Sequence, residues 1–194
     1  MLPPDLFTNE LPDSFFSDFG NDCSSSLSDE MVAQSVQEAS DFFNIDNPML
    51  VAEDFTTGVY PNMEMTEQDD VLIFNRDQLL DMGITEKDGL DLVMTHESAH
   101  RALQGLDLGF NSHQEELCCD FMSGVRAGLN DIDVSQMESS LADTVLSESH
   151  PEGAARVDSI ARGVQFAQDY MEEHGYSPTF SECIAFFKDG SELS

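Results

Sequence analysis

His96, Glu97 and His100 stand in the run His-Glu-Ser-Ala-His, an H-E-x-x-H spacing that can assemble a hydrolytic zinc centre. On a helix, positions four apart lie on one face, so the two imidazoles can grip a single Zn²⁺. Glu97, one step round, reaches the water held by such a metal and can act as its general base. A zinc site that does chemistry needs a third protein ligand and an open position. Residues 112–130 supply a candidate, because Glu116 and Asp120 are again four apart. Glu116 can bind the metal, and Asp120 can accept the spare N–H of a ligand histidine and fix its tautomer. The bland alternative is that Glu115, Glu116 and Asp120 form a solvated acidic face.

These groups need rigid elements. Apolar residues recur at Leu90, Leu92, Val93, Met94, Ala99, Leu103 and Leu106, which is helical spacing around the motif. Thr85 is the expected N-cap and Gly105 the expected stop. In the second helix, Gly124 would permit close packing against a neighbour. Helices are further expected at 29–45, 76–83, 134–147, 151–174 and 179–187. Strands are expected at 49–60 and 71–75, the latter from the apolar run Val71-Leu72-Ile73-Phe74. The predicted class is α+β, mainly helical, with a small β-sheet beside the H-E-x-x-H helix. Residues 71–75 are the candidate edge that would hold an extended substrate.

The H-E-x-x-H motif, followed by Glu-Leu-Cys-Cys-Asp-Phe-Met-Ser-Gly, resembles the zinc-binding segments of gluzincin metallopeptidases. It is similar to the bacterial neutral zinc metallopeptidases and the small soluble minigluzincins. Ser149-His150-Pro151 and Arg156 resemble a third segment those families place after the last ligand. The resemblance spans roughly residues 70–170. It implies a zincin-like fold, His96, His100 and Glu116 as zinc ligands, and Glu97 as general base. It also implies Asp120 as the carboxylate behind the ligands, with His150 and Arg156 shaping the site. Cys119-Asp120 replaces the usual Ala-Asp, and the interval from His100 to Glu116 is short. That interval also fits regulatory metallopeptidases of the ImmA type. The implied function is a zinc-dependent peptidase acting on peptide or protein substrates. The alternative is a regulatory protein of the same fold that only binds a partner.

Composition bounds the rest. The chain has 39 acidic and 7 basic residues, a net charge of −32, and no basic residue before Arg76. This argues against nucleic acid and anionic membranes as partners. No apolar run approaches the roughly 20 residues of a membrane span. The start Met1-Leu2-Pro3-Pro4-Asp5 lacks the basic and apolar regions of a signal peptide. Cys23, Cys118, Cys119 and Cys183 form no C-x-x-C pair, which suits a reducing cytoplasm. Residues 1–29, rich in Asp, Ser and Pro, are expected to form a flexible acidic arm. Residues 30–190 are expected to form the metallopeptidase domain. The oligomeric state is not legible.

Overall fold

The computed structural model describes residues 27–45, 50–53, 64–66 and 71–191, with 50–53, 64–66, 71–74 and 191 as backbone only. Most of the expected N-terminal arm, residues 1–26, and the greater part of the strand expected at 49–60 lie outside the described residues. In chain order the elements are α1 (Asp29–Phe42), β1 (Leu50–Glu53), β2 (Glu64–Thr66), β3 (Val71–Phe74), α2 (Arg76–Asp81) and α3 (Lys87–Leu103). They continue with α4 (Ser112–Asn130), α5 (Ser135–Ala142), α6 (Gly153–His174) and α7 (Phe180–Ser191).

The α+β expectation is corrected: the fold is mainly helical. The physical reason is where the apolar mass lies. The three apolar clusters among the described residues are built from helices and the turns that flank them. Extended backbone is confined to segments of three or four residues, below the usual strand length of about 5–6. Val71–Phe74 pairs on both sides, parallel with Leu50–Glu53 and antiparallel with Glu64–Thr66. The segment expected as a free substrate-holding edge is therefore the central one, with its ladder already engaged.

Local chemistry explains the helix starts. Ser28 accepts from the Met31 amide, and Asn75 from the Gln78 amide. Asn111 and Gln114 cap α4 reciprocally, each side chain accepting from the other's backbone N–H. α3 differs from expectation. Its cap residue is Glu86, not Thr85, and no side chain of its own caps it. Instead Gln136 of α5 accepts from the amides of both Thr85 and Glu86, at 3.0 and 3.2 Å. Gly105, with φ +78°, follows the end of α3, as the stop signal implied.

The helices that carry the candidate site are fixed by close contact. A Cβ on Gly124 of α4 would overlap the carbonyl oxygen of Ile160 in α6, and one on Gly163 would overlap that of Phe121. Around this crossing Phe121, Met122, Val125, Phe166 and Phe187 fill the largest apolar cluster. A second device ties α1 to α3 and α4. Arg126, 4% exposed, donates to the Asp91 carbonyl, to Thr95 Oγ1 and to Glu38 Oε2. Lys87 bridges Glu38 and Asp91 at 2.9 and 2.7 Å. Every polar group here has a partner, which is what burial of charge requires. Among the described residues no helix is long and apolar enough to cross a membrane.

Candidate metal centre

α3 and α4 bring their two four-residue pairs face to face. His96 Nε2 lies 3.3 Å from His100 Nε2 and 3.4 Å from Glu116 Oε2, and His100 Nε2 lies 3.3 Å from Glu116 Oε1. Donor atoms of the three residues all fall within 4.8 Å of one another. Donors about 2.0–2.1 Å from a tetrahedral ion are separated by about 3.3–3.4 Å; the two imidazole nitrogens stand at that spacing, and each faces a different oxygen of Glu116 at a similar distance. Two neutral imidazoles and a carboxylate also suit a first-row divalent cation chemically. The residues can therefore hold a metal ion, without specifying which.

Each histidine turns its other nitrogen toward a carboxylate of α4. His96 Nδ1 is 2.9 Å from Asp120 Oδ1, and His100 Nδ1 is 3.0 Å from Glu115 Oε1. The first contact is close but off the N–H axis, leaving His96 Nδ1 without a directed hydrogen bond. It acts as an ion pair rather than an aligned bond. Asp120, 0% exposed, is also gripped by Arg156 of α6 through two bonds of 2.7 and 2.9 Å. Arg156 lies 3.5 Å from Glu116 as well, so one guanidinium braces both carboxylates.

The protonation balance follows from this crowding. Burial pushes the His96 imidazole down, but Asp120 and Glu116 outweigh it and lift it to about 10. Burial alone would raise Glu116, yet His100 and His96 hold it well below the usual carboxylate range. Glu97, half-buried beside them, is raised chiefly by burial. A protonated imidazole cannot ligate a metal, so a cation held here would have to displace the His96 proton.

The cluster opens onto a cleft of about 300 Å³. Glu97, His150 and Arg156 share its lining with Leu79, Val93, Met137 and Leu141. His150 is exposed and bonds to Ser149 Oγ at 2.7 Å; among the described residues it makes no ion pair with the three donors. Its loop is anchored to the start of α4, where His113 Nε2 donates to the Ser147 carbonyl and Ser112 Oγ to that of Glu148. Sequence reading brought His96, Glu97, His100, Glu116, Asp120 and Arg156 to this place. It named Glu115 only in the alternative of a solvated acidic face, and gave His113 no part. No spacing rule links either residue to its partner across the α3–α4 junction or the 143–152 loop.

Asp120→Ala should weaken metal binding about 10–100-fold, because it removes the charge behind His96 and releases Arg156. A competitive chelator titration reads this. An unchanged affinity would show that Asp120 serves only the ion pair with Arg156. Comparison with protein-family models, curated proteins and solved structures finds no match to this chain.

Proposed function

We propose that the protein is a zinc-dependent peptidase whose general base is Glu97. The observation that carries this reading is the convergence of His96, His100 and Glu116 at the floor of an open cleft that Glu97 also lines. His96, His100 and Glu116 would hold the ion. The Lewis acidity of zinc, when bound, polarises a scissile carbonyl and acidifies water. Glu97 accepts the proton of the attacking water and returns it to the leaving amine. Its partial burial favours this, since a carboxylate with a raised pKa is a stronger base. His150, exposed on the cleft wall, would in this reading donate to an oxyanion. Arg156 is committed to Asp120 and Glu116, which favours a role in holding the ligand helix.

The substrate in this reading is a peptide or protein segment laid along the cleft. Three buried free thiols, Cys118, Cys119 and Cys183, favour a reducing cytoplasm. Purified with zinc, the wild-type chain should retain one ion, and His96→Ala should retain little. Elemental analysis of both proteins tests this. Absence of zinc from the wild type after reconstitution would end the zinc reading.

A further inference from the structure

We propose that Glu115 is a positioning residue that orients the ligand His100, an inference that rests on the zinc reading above. Glu115 and Glu116 are neighbours on α4, so their side chains leave the helix about 100° apart. The structure uses that angle. Glu116 meets His100 at Nε2, 3.3 Å away, and Glu115 meets the same ring at Nδ1, 3.0 Å away. Two consecutive carboxylates therefore embrace one imidazole from both sides.

The chemistry of the outer contact is one-directional. A carboxylate only accepts, so Nδ1 must carry the hydrogen that lies between them. Nε2 is then left with its lone pair on the side where His96 Nε2 and Glu116 gather. The same outer carboxylate stops the ring from flipping. Asp120 stands behind His96 in the equivalent place, but it is fully buried and shared with Arg156. The Glu115 side chain is 45% exposed, and among the described residues its hydrogen-bond partner is His100. Its removal therefore perturbs the ligand set without opening the core.

The test measures zinc affinity, with the metal ion alone as probe, by chelator competition. It compares wild type, Glu115→Ala and Glu115→Gln, and records melting of each in excess chelator. Glu115→Ala should bind zinc about 10-fold more weakly or worse. Glu115→Gln should recover most of that loss, because its amide oxygen still accepts from Nδ1–H. All three should melt alike in chelator. A wild type that binds zinc while Glu115→Ala binds it equally well overturns the inference and leaves the zinc reading standing. Glu115→Gln as weak as Glu115→Ala, or a lowered melting point in chelator, also overturns it. A wild type that takes up no zinc overturns both.

Discussion

Glu97→Gln should yield a folded protein that takes up zinc yet cleaves peptides at least about 100-fold more slowly than wild type. Glu97 is not one of the mutually close donors, so the substitution leaves the ligand set intact. Glutamine keeps the size of the side chain and can still hydrogen-bond to water. It cannot take a proton, which is the step the carboxylate supplies. The measurement is cleavage of a broad peptide library at matched zinc content. Equal cleavage by the variant would remove Glu97 from the chemistry. A wild type that cleaves nothing would move the protein to the other class, a regulatory fold that binds a partner.

The second large effect concerns stability. Gly163→Ala adds a methyl group where the α6 backbone lies against α4. The new Cβ would overlap the Phe121 carbonyl oxygen and stand 2.8 Å from the Val125 amide nitrogen. Neither atom can swing aside as a flexible side chain would. The helices must separate, and the cluster around Phe121 and Phe166 loses its packing. We expect a loss of about 3 kcal/mol, the upper end of the usual cost of overpacking and a large share of a typical domain's stability of about 5–15 kcal/mol. α4 carries Glu116 and Asp120 while α6 carries Arg156, so zinc affinity should fall with it. Denaturant titration reads the first effect. An unfolding midpoint indistinguishable from wild type would mean that the two backbones can part without cost.

What the sequence revealed is what helical period converts directly into geometry. His96 and His100, like Glu116 and Asp120, are four apart, and a helix turns that spacing into one face whatever the rest of the chain does. Gly124 was legible for the same reason. What it concealed depends on how helices cross. Glu115 meets His100 across an interval of 15 residues, and Arg126 reaches Glu38 across 88. Thr85 has the composition of a cap, yet Gln136, 51 residues on, does the capping. Val71-Leu72-Ile73-Phe74 has strand composition and does form β3, but the class was overstated from it, because the apolar mass that decides the architecture sits on the helices.

The ion pairs that brace the helices also decide what the surroundings see. At least four of the seven cations, Arg76, Lys87, Arg126 and Arg156, are drawn into pairs with carboxylates. Few positive charges remain to interrupt the negative exterior of a chain at −32. Exposed like charges repel within a Debye length of about 8 Å at physiological ionic strength, and dissolved salt weakens that repulsion far more than it weakens shielded pairs. The ionic atmosphere is therefore a structural partner of this fold. Dilute buffer strains the folded chain by self-repulsion, and a saline medium relaxes it while leaving the internal bracing in place.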